Sequence, residues 1–155
     1  MRRSDREITD LNEIFAMLDR CTTINIGFNT DAYPYVIPMT FGSALEDGKI
    51  TVYFHCAGEG RKLELLAKDD RVCVEGHIYE RTELTEGGGI TAKYESVIGF
   101  GKAVLIEDQQ DKINALKVML DHYNSSGFPV TSCTGLSKVI VYKIVLNEVT
   151  GKRNQ

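Results

Sequence analysis

The densest run of reactive side chains lies between Tyr53 and Lys62: Tyr53, His55 and Cys56, then Gly58 and Gly60, then Arg61 and Lys62. A phosphate group needs backbone N–H groups that approach closely, the positive end of a helix, and one or two cations. Gly58 and Gly60 supply the first. A helix starting near Gly60 and carrying Leu63, Leu65 and Leu66 supplies the second, and Arg61 with Lys62 the third. On the residues alone, this is either an anion cradle or a solvated turn with two surface cations. It is not a Walker loop, because G-x-x-x-x-G-K-[ST] is absent. His55 ends an alternating strand on the side of Thr51 and Tyr53. It either donates a proton or touches a ring there, or is a half-buried histidine bonded to a neighbour. His55 and Cys56 point to opposite faces of an extended chain, and His77 and His122 lack ligand-spaced partners, so no metal site is expected.

A second stretch, Tyr94-Glu95-Ser96-Val97-Ile98-Gly99-Phe100-Gly101, holds two glycines inside a strand. The third glycine of a dinucleotide fingerprint is missing. In-strand glycines mark a barrel corner or the close approach of another backbone. Tyr94 and Ser96 either bond a ligand ring or form cross-strand surface pairs. The carboxylates Asp108 and Asp111 suit a helix N-terminus without any catalysis.

Positioning these residues requires the following elements. Leu11, Ile14, Phe15 and Leu18 form one helical face over Asp10–Arg20, with Asp10 and Glu13 as a capping box. The period then changes to two across Thr22–Phe28, Tyr33–Phe41 (with prolines at 34 and 38), Lys49–His55 and Arg71–Tyr79. Glu83–Gly89 reads as a mobile loop or lid. Thr91–Ile106 reads as one strand bent at Gly99 and Gly101. Asp108–Tyr123 is a helix, Asn124–Ser137 is turn-rich, and Lys138–Leu146 is a last strand. Six strands with hairpin-length links and no βαβ alternation predict a small antiparallel barrel with helices packed outside.

The chain has 155 residues, the size of one domain spanning 1–155. With 18 basic and 22 acidic residues its net charge is −4, a poor field for nucleic acid or anionic membranes. No apolar run approaches a membrane span, and the start lacks the apolar core of a signal peptide. The four cysteines, Cys21, Cys56, Cys73 and Cys133, are widely spaced. They read as reduced thiols of a cytoplasmic protein.

Several segments stand together in one order: Met1-Arg2-Arg3-x-Asp5-Arg6-Glu7-Ile8, Pro34-Tyr35-Val36-Ile37-Pro38-Met39, Tyr53-Phe54-His55-Cys56-Ala57-x-x-Gly60-Arg61-Lys62, Tyr94-Glu95-Ser96-Val97-Ile98-Gly99-x-Gly101 and Thr150-Gly151-Lys152. In that set the chain resembles the pyridoxamine-phosphate-oxidase-like flavoproteins, specifically their nitroimidazole-resistance (Nim-type) branch. The resemblance implies a six-stranded antiparallel split β-barrel, mainly β with flanking helices. It also implies FMN bound non-covalently between the protomers of a homodimer. Arg61, Lys62 and the Gly60 turn would hold the FMN phosphate. Val36, Ile37, Pro38, Met39, Tyr53, His55 and Ala57 would line the isoalloxazine. Tyr94, Glu95, Ser96 and Val97 would approach from the other barrel wall or from the partner.

The chain departs from the vitamin B6 oxidases, whose carboxy-terminal segment is rich in arginine and tryptophan, since it has no tryptophan at all. The expected activity is therefore an FMN-dependent oxidoreductase. It would take reducing equivalents from a nicotinamide donor, NAD(P)H, or another donor and reduce a small electrophile, a nitroaromatic for example. His55 would steer or protonate that acceptor. The alternatives are a flavin- or haem-binding carrier or sensor without turnover, and a cofactor-free binding barrel.

Overall fold

The computed structural model describes residues 2–155. Met1, the first residue of the amino-terminal motif, lies outside them. In chain order the elements are β1 (Glu7–Ile8), α1 (Leu11–Asp19), β2 (Ile24–Phe28), β3 (Tyr35–Met39), β4 (Gly42–Glu46), β5 (Lys49–Cys56), α2 (Arg61–Lys68), β6 (Arg71–Leu84), β7 (Ile90–Leu105), α3 (Gln109–His122) and β8 (Ile140–Asn154). Both longer helices start where a short acidic side chain closes the first turn. The Asp10 carboxylate accepts from the Glu13 N–H, and that of Asp108 from the Asp111 N–H.

The strands form one antiparallel sheet in the order β3-β2-β6-β7-β8-β5-β4, with β1 added on β8. β3 and β4 follow one another in the chain but stand at opposite ends of this order. The sheet thus rolls into a barrel that stays split between them. Its interior is filled by Ile24 and Ile26 of β2, Ile50, Val52 and Phe54 of β5, Val74 of β6 and Ile144 of β8, with Met17 and Leu18 of α1. Each such side chain stabilises the fold by roughly 1.5–3 kcal/mol. Outside the barrel, α3 lies over β4 and β5. A Cβ on Gly42 would meet the Met119 backbone at 2.7 Å, so only glycine lets the helix come this close.

The six expected strands become eight. β4 is the sequence Gly-Ser-Ala-Leu-Glu, without β-branched residues or alternation. It is a strand because the Asp47-Gly48 turn, with φ of 51° and 70°, folds it back onto β5. β1 is two residues long and exists through its pairing with β8. Glu83 and Leu84 belong to β6, so Glu83–Gly89 is not a loose loop. Its tip is a tight turn in which the Thr85 N–H donates to the Gly89 carbonyl at 2.8 Å. β8 runs past Leu146 to Asn154, pairing with β7 throughout.

The two glycines of β7 mark close approach, as their position suggested. A Cβ on Gly99 would lie 2.6 Å from the Leu146 side chain, and one on Gly101 only 2.3 Å from the Val145 carbonyl oxygen. Between Phe100 and Gly101 the register slips, with Asn147 of β8 left as the extra residue of a bulge.

Candidate functional site

α2 begins at Gly60, whose φ of 129° is strained for any residue with a Cβ. No side chain caps this helix, so its leading N–H groups are left for a ligand. The first two side chains both turn toward β3. The Arg61 guanidinium lies 4.6 Å from the centroid of the Tyr35 ring, and the Lys62 Nζ lies 3.7 Å from the Met39 Sδ. Among the described residues, neither cation has a carboxylate partner, whereas Arg3, Arg71, Arg81 and Arg153 all do. Two unneutralised cations therefore sit at an open helix start, one near each end of β3.

His55 stands on the outer face of β5, solvent-exposed, opposite Val141 of β8 and just beyond the end of β4. Partial burial lowers its pKa, and the positive charge of Lys62 lowers it further. The imidazole is thus held in its neutral form near pH 7, with one N–H to donate. Burial pushes the neighbouring Cys56 thiol up, Lys62 partly offsetting it. Ala57 is exposed in the loop before α2.

Tyr53 shares the face of His55 but lies under α3, packed on Ile106, Ala115 and Val141. Burial raises its phenol pKa, with further contributions from Glu46 and Asp111 across a cleft of about 370 Å³.

Of the four β3 residues expected along a ring, the structure separates two pairs. Ile37 and Met39 turn inward against the core, while Val36 and Pro38 face outward. Tyr35 was not among the expected residues. Its inward phase puts its ring under Arg61, and the strict alternation of β3 was the available signal. On β7 the side chains divide in the same way. Glu95 and Val97 are buried inside the barrel, and only Tyr94 and Ser96 present side chains on the outer face.

Glu95 accepts from Arg20 of the α1 end and, at 2.6 Å, from the Arg153 Nε of β8, and Arg153 also bonds Glu13 of α1. This carboxylate staples helix to sheet. Tyr94 has the Lys152 Nζ 5.4 Å from its ring centroid, and Lys152 and Arg6 beside its hydroxyl lower its pKa. Tyr94 and Ser96 do not join the α2 cluster. β7 is three strands from β3, about 14 Å at the usual strand spacing.

Between them the outer sheet face carries a groove of about 620 Å³, lined by Asn25, Val36, Arg71, Cys73, Phe100 and Lys102. Among the described residues, no three His, Cys, Asp or Glu side chains converge as metal ligands. No helix there is long and apolar enough to cross a membrane.

The arrangement can hold an anionic group at α2 and a flat ring along β3. Comparison with known proteins agrees in fold. A protein of Bacteroides thetaiotaomicron, described as a candidate 5-nitroimidazole antibiotic resistance protein, is 29% identical. It matches with a TM-score of 0.81 over 95% of this chain and 86% of its own. A flavocytochrome of Azotobacter vinelandii shares the fold at a TM-score of 0.81 and 19% identity, over 100% of this chain and 72% of its own. So does an FAD- and haem-binding protein of Mycobacterium smegmatis, at 0.81 and 15%, over 97% and 74%. No curated protein matches the sequence closely enough to count as a relative. The family model described as pyridoxamine 5′-phosphate oxidase matches residues 10–153, nearly the whole chain, and the protein belongs to that family.

Proposed function

We propose that the chain binds FMN and acts as an oxidoreductase that reduces a small electrophile, nitroaromatics such as nitroimidazoles among them. The observation that carries this reading is the uncapped start of α2, where Arg61 and Lys62 stand without carboxylate partners beside β3. A phosphate there meets the free N–H groups and the positive helix end, and the long Arg61 and Lys62 side chains can swing to it from either side. The residues fit the rest of the cofactor too. Val36 and Pro38 offer apolar surface, and His55 and Ala57 border the same loop. The 29% identity with the candidate nitroimidazole-resistance protein supports the acceptor class.

Flavin, when bound, supplies the capacity to accept a hydride from NAD(P)H and pass it on. The chain holds the phosphate with Arg61, Lys62 and the Gly60 turn. It shields one side of the ring with β3 and keeps a neutral His55 to orient the acceptor or relay a proton to it. Tyr94 and Ser96 are three strands away from β3 in their own protomer. In this reading they serve the site of a two-fold partner, with the flavin between protomers. The four free thiols suit a reducing, cytoplasmic setting.

The test is an absorbance spectrum of the purified protein, with FMN added if it is colourless. Flavin bands that shift on binding and vanish in the Arg61→Ala/Lys62→Ala variant are the expected result. No band and no uptake of FMN overturns the reading. Bound FMN that neither NADH nor NADPH reduces would instead make the protein a carrier.

A further inference from the structure

Reduction of a nitro group consumes a proton as well as a hydride: R–NO2 + H⁻ + H⁺ gives R–NO and H2O. His55 is kept neutral by burial and by Lys62, so it has a proton to relay only after receiving one. The outer face of the sheet carries another imidazole, that of His77 on β6.

The His77 Nδ1 lies 2.8 Å from the Glu75 Oε1, and the Asn25 Nδ2 donates to the other Glu75 oxygen at 2.8 Å. An ionised carboxylate only accepts, so Nδ1 keeps a proton, and Nε2 is the nitrogen left to give or take one. Across the ladder His77 stands opposite Ser96 of β7, and Ser96 opposite Lys152 of β8, in one row on the outer face. Directly opposed side chains start about 5 Å apart at their Cβ atoms. Whatever site receives Ser96 therefore receives His77 with it. The other titratable groups of this patch are Tyr79 beside His77 on β6, Tyr94 on β7 and Lys152, with Glu7 of β1 opposite Lys152.

We infer that His77 is the proton donor of acceptor reduction, brought to each site by the partner protomer together with Ser96. The inference rests on the flavin reading above, in which Tyr94 and Ser96 serve the two-fold partner, and it names the group that completes the site. The Nε2–H bond breaks and its electron pair stays on the ring. The nitro group takes that proton and the hydride that NAD(P)H supplies through the flavin, and one nitro oxygen leaves as water carrying both hydrogens. Glu75 holds the Nδ1 proton throughout, so the neutral ring left behind already has its tautomer fixed. Solvent restores the lost proton, since the side chain is 60% exposed.

Rapid mixing separates the two halves of the cycle. In His77→Gln, an exposed substitution that leaves the fold intact, FMN affinity and flavin reduction by NADPH or NADH should match wild type. Reoxidation of the reduced flavin by a nitroimidazole should be about 100-fold slower. The wild-type reoxidation rate should fall as the pH rises, and that of the variant should be flat. Equal amounts of His77→Gln and Arg61→Ala/Lys62→Ala subunits, unfolded and refolded together, should recover about a quarter of wild-type turnover, because half the dimers then pair a flavin-holding subunit with an intact His77. In flavin-free protein in alkaline buffer, ¹⁵N ring spectra should place the His77 proton on Nδ1 in wild type and on Nε2 in Glu75→Ala.

Reoxidation as fast in His77→Gln as in wild type overturns the inference and leaves FMN binding standing. A mixture that recovers nothing overturns the partner's part in it, and a wild-type ring protonated on Nε2 overturns the role given to Glu75. Reduced wild-type protein that no nitroaromatic reoxidises overturns the acceptor class and this inference together. Wild-type protein that takes up no FMN overturns the flavin reading itself.

Discussion

Glu95→Ala should cost the fold stability without touching the affinity for cofactor. The side chain is 7% exposed and bridges Arg20, 51% exposed, to Arg153, 17% exposed. A hydrogen bond to a charged group is worth about 1.5–3 kcal/mol, and the half-exposed Arg20 contributes toward the low end after screening. Arg153 keeps Glu13, so it is not left as an unpaired charge. The loss should therefore be about 2–3 kcal/mol, below the 3–5 kcal/mol typical of a fully broken buried pair. In a chain of this size that corresponds to roughly 5–10 °C in Tm. Glu95→Gln, which preserves shape and keeps one acceptor oxygen for one of the two arginines, should lose about half as much. Thermal melts followed by circular dichroism, with FMN titration at a temperature where both variants are folded, make the assay. A variant with wild-type Tm but weakened FMN binding would refute the reasoning and return Glu95 to the cofactor.

Gly101→Ala puts a Cβ 2.3 Å from the Val145 carbonyl oxygen and should destabilise by about 2–4 kcal/mol in urea melts. Gly58→Ala, whose Cβ meets only the Ile140 Cδ1 at 3.9 Å, should stay close to wild type, and equal effects would contradict the packing. Lys62→Met should raise the His55 pKa, visible in an NMR titration of the ring, because a cation that opposes its protonation is gone. The folded His55 binds its proton less readily than a free histidine. Its contribution to stability is thus present above about pH 6.5 and is lost as the pH falls, and Lys62→Met should shrink that loss. Cys21, buried and pushed up to about 11, should resist a thiol reagent at pH 8 while exposed Cys133 reacts at once. Comparable rates for the two would place Cys21 wrongly.

Features governed by near neighbours could be read from the sequence. α1 and α3 announced themselves by apolar spacing and by Asp10 and Asp108, whose caps need only residues three positions on. The start of α2 at Gly60-Arg61-Lys62 is contiguous in the chain and was visible for the same reason. β4 and the last turns of β8 were not. Gly42–Glu46 and Asn147–Asn154 show no alternation of their own, and it is β5 and β7 that hold them extended. The phase of β7 was hidden likewise. A glutamate inside a barrel looks like an outward residue until Arg20 and Arg153, from distant parts of the chain, are seen to neutralise it. Which of Val36, Ile37, Pro38 and Met39 face outward depends on the β2 register, although the two prolines already carried that information.

The place of β8 in the sheet bears on how the protein is made. This strand follows all its partners in the chain, yet it lies between β7 and β5 and also carries β1. Until residues 140–154 have left the ribosome, β5 and β7 are open edges, and the two halves of the barrel have no strand to join them. Closure of the core then waits on contacts among the longest-range in the chain, which slows folding and leaves sticky edges exposed meanwhile. A chain stopped before Ile140 would aggregate rather than accumulate as a smaller barrel, and the emergence of residues 140–154, not that of α2, times the closure of the barrel.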